Sequence, residues 1–371
     1  MFTRSIRALA CALAVLPALP AFAADIVIGQ SAPLTGGNAE LGNDIRNGAL
    51  AYFKKVNDAG GVAGNKIRLV TLDDRNDTKL AAENTQKLVK EENAVALFGY
   101  ASSTLSIPAM PAVAEGKVPF FAPFTGADTI RKQNEYVYTV RATYADEIDK
   151  IVNFWGNLGN TKVTVLHYDD PVGKQNFETV AAGLKKFGKS PVSVAIKRNA
   201  PVSEANIKAV VDSDPNVLVV TTLYAPAAEL IKKLKTGGKQ YMTTSLSFAG
   251  ASQLAKALGP DAIGVSVSIT VPTPARTSVP VVKECSEAWG AAGQKELMSV
   301  TALESCIAAK VLVEGIKRSG SAVTRASLHK SLAALGRYDA GGYVVDFKPN
   351  FHHGGSYVTM ALLRPNGDVR E

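Results

Sequence analysis

Short apolar, β-branched runs alternate along most of this chain with longer stretches whose apolar positions recur at helical spacing. Residues 26–29 read as a strand, and residues 41–59 as a helix with Ile45, Ala49, Tyr52, Phe53 and Val56 along one face. A strand at 67–72, a helix at 78–92, a strand at 95–98, a helix at 103–115 and strands at 118–121 and 136–140 continue the series. The pattern then restarts. Helices at 145–158, 173–187, 204–211, 225–234 and 251–258 separate strands at 163–167, 192–196, 217–221, 241–243 and 263–267. Strands separated by such helices predict βαβ units, and therefore parallel sheets covered by helices on both faces.

The Pro-rich stretch 271–280 (Pro272, Pro274, Pro280) breaks the alternation and reads as a crossing segment. Helices at 281–291, 300–318 and 327–334 follow, then strands at 342–347 and 356–363 around His352-His353-Gly354-Gly355. Two α/β units, with elements left over to complete both, imply two lobes joined by several crossings. Those crossings are expected near 141–143, 271–274 and 351–355. The first lobe would comprise residues 24–143 and 271–350, the second residues 144–270 and 351–371. A length of 371 residues is ample for two such cores.

The chain's start stands apart. Arg4 and Arg7 precede an apolar run from Ala8 to Leu19, and Ala21-Phe22-Ala23 places small residues where a signal peptidase reads. This is the pattern of a cleaved secretory signal, residues 1–23. Cys11 has Ala8 where a lipid-attachment motif wants Leu, and is read as part of the discarded peptide. No later stretch approaches the roughly 20 uncharged apolar residues of a membrane span, so an exported, periplasmic product is expected. Without Arg4 and Arg7, 39 basic residues face 33 acidic ones, a net of +6. The lysines are scattered along helices and form no run, which argues for a solvated basic surface and against nucleic acid. Cys285 and Cys306 remain. They fall on adjacent helices at similar height, and two readings stay open: a disulfide, or separate buried thiols.

In an open parallel sheet, ligands bind in the crevice beyond the carboxyl ends of the strands. Beyond 95–98 lie Gly99-Tyr100-Ala101-Ser102-Ser103-Thr104, whose hydroxyls and free amides can cap a helix and hold a carboxylate. Beyond 118–121 lie Phe124, Thr125 and Gly126, offering an aromatic wall, a hydroxyl and backbone donors. Tyr224, Ser245 and Ser247 follow strands of the second unit. Hydroxyls and aromatics on both lobes suit a cleft closing on a polar solute.

The start Ile28-Gly29-Gln30-Ser31-Ala32-Pro33-Leu34-Thr35-Gly36, the stretch Val56-Asn57-Asp58-Ala59-Gly60-Gly61-Val62-Ala63-Gly64-Asn65, Asp73-Asp74 and the 99–104 loop together carry a family likeness. The chain resembles the branched-chain amino-acid binding proteins of ABC importers, the type I periplasmic binding proteins. The resemblance implies an α/β fold of two Rossmann-like lobes joined by three crossovers, a Venus-flytrap that closes on its solute. It also implies ABC permease subunits in the inner membrane as partners. By that likeness Ser103 matches the serine that holds the ligand carboxylate, and Ala101 a backbone contact. Phe124 falls where a carbonyl receives the ligand ammonium, and Thr125 matches a hydroxyl only if one residue is deleted. Tyr224 lies within one position of a second-lobe tyrosine. Ser245 stands where amino-acid binders carry a glutamate for the ammonium, and Asp146 is the nearest substitute. A small carboxylate is thus expected, either an aliphatic amino acid or an aromatic or short aliphatic acid. A sensor subunit for a membrane receptor is the other role the resemblance allows.

An enzyme is the rival class. Ser102-Ser103 is not in a Gly-x-Ser-x-Gly elbow, and Gly36-Gly37-Asn38 lacks a dinucleotide fingerprint, so no cofactor is expected. His167, His329, His352 and His353 have no spacing for a triad or a metal site. Asp73-Asp74-Arg75-Asn76-Asp77 lacks the glycine and terminal glutamate of a calcium loop and reads as a structural strand end between the lobes.

Overall fold

The computed structural model describes residues 25–131 and 135–371; the expected signal segment, with Cys11, lies outside them. The first α/β unit runs β1 (Ile26–Ala32), α1 (Ala39–Asp58), β2 (Ile67–Asp73), α2 (Thr78–Lys90) and β3 (Ala96–Phe98). It continues through α3 (Ser103–Ser106), a 3-10 turn (Ile107–Ala109), α4 (Met110–Gly116), β4 (Phe120–Phe121), α5 (Asp128–Arg131) and β5 (Val137–Tyr138). Its strands form a parallel sheet in the order β2-β1-β3-β4-β5. The single helix expected at 103–115 is broken into three pieces. Pro108 and Pro111 lack the amide a continuous ladder needs, and each sits in the first turn of a new piece, where that amide is not required.

The second unit runs α6 (Tyr144–Asn157), β6 (Val163–Tyr168), α7 (Pro171–Leu184), β7 (Val192–Ile196), α8 (Glu204–Ser213), β8 (Val217–Thr221) and α9 (Tyr224–Thr236). Then come β9 (Met242–Ser245), α10 (Ala251–Leu258) and β10 (Val265–Ile269). The chain returns to the first lobe for α11 (Pro280–Ala291), α12 (Val300–Arg318), α13 (Arg325–Ala333) and the hairpin β11 (Arg337–Asp339) with β12 (Val344–Asp346). It finishes in the second lobe with β13 (Thr359–Leu363) and β14 (Val369–Arg370), giving a sheet ordered β14-β13-β10-β9-β8-β6-β7. This corrects the expectation of uniformly parallel sheets: β13 runs antiparallel to β10, and β14 antiparallel to β13. No helix separates β13 from β14, and a short turn can only reverse the chain.

Two α/β lobes are therefore joined by three crossovers, at residues 139–143, 270–279 and 347–358. The first and third lie side by side. Thr139 N–H donates to the His352 carbonyl, Gly354 N–H to the Thr139 carbonyl, and the His352 ring stacks on Tyr138 with centroids 4.5 Å apart. In the first lobe, α12 is buried along most of its length among α1, α11 and α13. The α1–α12 crossing is close because Gly48 sits at it; a Cβ there would stand 2.1 Å from the Ala302 carbonyl oxygen. Cys285 on α11 and Cys306 on α12 are joined as a disulfide, with Cα atoms 6.0 Å apart. Among the described residues, no helix is long and apolar enough to cross a membrane.

Candidate functional site

The carboxyl ends of β3 and β4 build one wall of the cleft. Ser102 caps the turn after β3, its Oγ accepting from Leu105 N–H at 3.3 Å. Ser103 is buried, and its hydroxyl is hydrogen-bonded to that of Thr125 beyond β4. Thr125 Oγ1 also accepts from Ala127 N–H at 3.0 Å, which fixes the threonine's rotamer. The Tyr144 hydroxyl lies beside both Thr125 and Ser103. Burial pushes the Tyr144 phenol up, while the nearby Arg141 charge and those two hydroxyls pull the other way.

Tyr144 is the first residue of α6, which begins at a Thr143–Asp146 capping box. Its amide donates to the Gly126 carbonyl at 2.9 Å. Gly126 permits this approach, since a Cβ there would stand 2.6 Å from both Tyr144 N and its ring. The capping box also decides the fate of Asp146. Its carboxylate accepts from Thr143 N–H and Oγ1–H and is exposed, so it does not enter the cleft.

The second lobe supplies the facing wall from the ends of β6, β7 and β8. Ser102, Ser103, Thr104 and Tyr144 line one cavity of about 250 Å³, partly open to solvent, with Tyr168, Asp170, Val172, Gly173, Asn176, Arg198, Thr221 and Phe248. The Tyr144 and Phe248 rings pack across it at 4.9 Å. Arg198 Nη2 donates to Asp170 Oδ2 at 3.0 Å and, across the lobes, to Thr104 Oγ1 at 2.8 Å. Its guanidinium lies 4.0 Å above the Tyr168 ring. Nearby, the Asn76 and Asn199 side chains bond to each other across the same gap at 2.7 Å. This is the position of the Asp73-Asp74 segment: Asp73 binds Leu34 N–H and Thr35 Oγ1–H, and Asp74 binds Ser31 Oγ–H.

The remaining candidates fall elsewhere. Ala101 is buried in the β3 turn. The Phe124 ring lies under Arg141, 4.4 Å from its Cζ, and lines a different cavity with Ile45, Glu304 and Ser305. Arg141 is fully buried at the first crossover. It bonds to Ser247 and to Thr270 Oγ1, and its Nε lies 3.1 Å from Glu304 Oε1, near enough for charge attraction though off-line for a hydrogen bond. Tyr224 opens α9 beside Glu40 of the first lobe. The Ser245 hydroxyl donates to the Val220 and Leu246 carbonyls at 3.2 and 3.3 Å. Neither residue is among those lining the Ser103 cavity. Tyr144, Asp170, Asn176, Arg198 and Phe248 were not singled out in the sequence. Asp170 and Arg198 directly follow second-lobe strands, so the strand-end rule held the signal for them.

A family model for periplasmic binding proteins matches residues 25–368, nearly the whole described chain. The chain belongs to the periplasmic binding protein family. Among solved structures, a substrate-binding periplasmic protein from Ralstonia solanacearum is 30% identical, with a TM-score of 0.88 over 93% of this chain and 99% of that one. A protein described as a possible leucine/isoleucine/valine-binding protein from Rhodopirellula baltica is 26% identical, with a TM-score of 0.90 over 95% and 97%. An amino acid binding protein of Pseudomonas aeruginosa is 28% identical over 221 residues, and that match spans 58% of each chain. This periplasmic binding protein thus has the type I fold, and its relatives include Leu/Ile/Val-binding homologues.

Proposed function

We propose that this protein is exported, captures a small carboxylate in the cavity between its lobes and delivers it to an ABC permease in the inner membrane. The observation that carries the reading is the buried Ser103–Thr125 hydroxyl pair on the first lobe, with Tyr144 of the second lobe beside it and further second-lobe residues lining a cavity with Ser103. The Ser103 and Tyr144 hydroxyls, which line the cavity, can donate to carboxylate oxygens, and hydrogen bonds to a charged acceptor are the strong ones. Each lobe provides only part of the lining, so the ligand stabilises the closed form through contacts the open form lacks. Binding without catalysis agrees with the family.

The names of the relatives support an aliphatic amino acid. One observation favours a carboxylate without an ammonium group. Asp170 is the acid lining the cavity, and it is engaged already: Oδ1 accepts from Gly173 N–H at 2.8 Å, and Oδ2 from Arg198 and Thr104. A buried ammonium there would lack an unused counter-charge. A thermal-shift screen of small carboxylates and amino acids tests the reading. At least one carboxylate should raise the melting temperature in a concentration-dependent way, and a flat response across the whole panel would refute it.

A further inference from the structure

The Ser103 cavity holds more hydrogen-bond donors than the protein itself uses. Asn176 on α7 is 3% exposed and lines the second-lobe side; among the described residues its Nδ2 has no hydrogen-bond partner. Nε and Nη1 of Arg198 are also buried without a hydrogen-bond partner among those residues. Buried polar groups in folded proteins nearly always find partners, so donors left over in a cavity point to a ligand that accepts from them. Asp170, an acid in the same lining, takes up Arg198 Nη2 at 3.0 Å and leaves Nε, Nη1 and the Asn176 amide unused. Asp170 caps α7, and the positive end of that helix holds its charge together with Arg198. The guanidinium is held in place from three sides, by the Tyr168 ring, Asp170 and Thr104. An arginine fixed in this way is suited to recognise a carboxylate.

We propose that Arg198 and Asn176 form a second anion subsite, so that the ligand is a small dicarboxylate gripped at one end by each lobe. The proposal rests on the carboxylate reading of the Ser103 group and adds the second-lobe half. Because Arg198 also donates to Thr104 of the first lobe, the residue that holds the second carboxylate is the one that bridges the closed lobes. Ligand recognition and lobe closure then share a side chain, and the ligand's preference for the closed state follows from that geometry.

Calorimetry with matched acids tests this: succinate, glutarate and adipate against butyrate, pentanoate and hexanoate, with L-leucine alongside. The best dicarboxylate should bind the wild-type protein at least tenfold tighter than its monocarboxylate partner and than leucine. Arg198→Met removes the charge, and Asn176→Asp replaces the free donor with an acid at the same volume. Each should reduce the dicarboxylate preference to threefold or less. Arg198→Met also weakens the lobe contact for every ligand, so the ratio between matched acids is the readout. If the monocarboxylates or leucine bind as tightly as the dicarboxylates, or if both variants keep the wild-type ratio, the second subsite is overturned and the Ser103 site stands. If no carboxylate in the panel binds, the reading of the cavity falls as well.

Discussion

Replacing Gly126 with Ala tests whether Tyr144 belongs to the binding group. The added Cβ would lie 2.6 Å from the Tyr144 backbone nitrogen and ring and 3.0 Å from the Ala142 carbonyl oxygen. Ordinary contacts begin near about 3.5 Å, so the start of α6 must move away by close to 1 Å. A side chain alone cannot relieve the clash, because two of the opposing atoms are backbone. Overpacking of this kind costs about 1–3 kcal/mol of stability. The same shift draws the Tyr144 hydroxyl away from Ser103 and Thr125. Losing one hydrogen bond to the ligand carboxylate costs about 1.5–3 kcal/mol, or roughly 13- to 160-fold in affinity. Tyr144→Phe is the companion variant: it removes the hydroxyl and leaves the backbone undisturbed. Denaturant melts and calorimetry with a carboxylate from the thermal-shift screen would be run on both. Gly126→Ala should lose stability and affinity together, and Tyr144→Phe chiefly affinity. Wild-type affinity in both would exclude Tyr144 from the site.

Two further outcomes concern stability. The Cys285–Cys306 bridge closes a loop with a sequence separation of 21, so replacing both cysteines by Ala should cost about 3 kcal/mol by chain entropy, measured by denaturant melts beside the oxidised protein; equal midpoints would contradict this. Burial pushes the Glu304 carboxyl from 4.5 up to about 7 against the pull of Arg141. A carboxyl raised on folding stabilises most below its unfolded pKa and loses that contribution as pH rises through the folded one, so stability should fall between about pH 4.5 and pH 7. Burial likewise raises Asp44 to about 6 and Asp74 to about 7, which adds to the same slope. Glu304→Gln should make the slope shallower, and an unchanged pH profile in that variant would refute the assignment.

Much of the fold was legible because helical and strand periods alternate cleanly. Residues 192–196 and 217–221 read as strands, and 251–258 and 300–318 as helices, at the bounds the structure has. What was missed had weak local signals. The strands β11 and β14 are three and two residues long, too short for a period to show. The antiparallel placement of β13 depends on a partner, β10, almost a hundred residues earlier, and no local pattern records pairing direction. The site divided along the same line. The first-lobe loop stood out through its run of small hydroxyl residues at 102–104. The second-lobe wall draws on Asp170, Asn176 and Arg198, ordinary surface residue types that come together from β6, α7 and β7 only in the folded chain.

The central claim is that the Ser103 group holds a carboxylate between the lobes. Titrating each carboxylate that raises the melting temperature, beside its primary amide, into wild type and Ser103→Ala tests this most directly. The wild type should bind the acid at least tenfold tighter than the amide. Ser103→Ala should weaken acid binding by about 1.5–3 kcal/mol, as expected for a lost hydrogen bond to a charged group, and narrow that gap. Equal affinity for acid and amide, or an unchanged affinity in Ser103→Ala, would contradict the account.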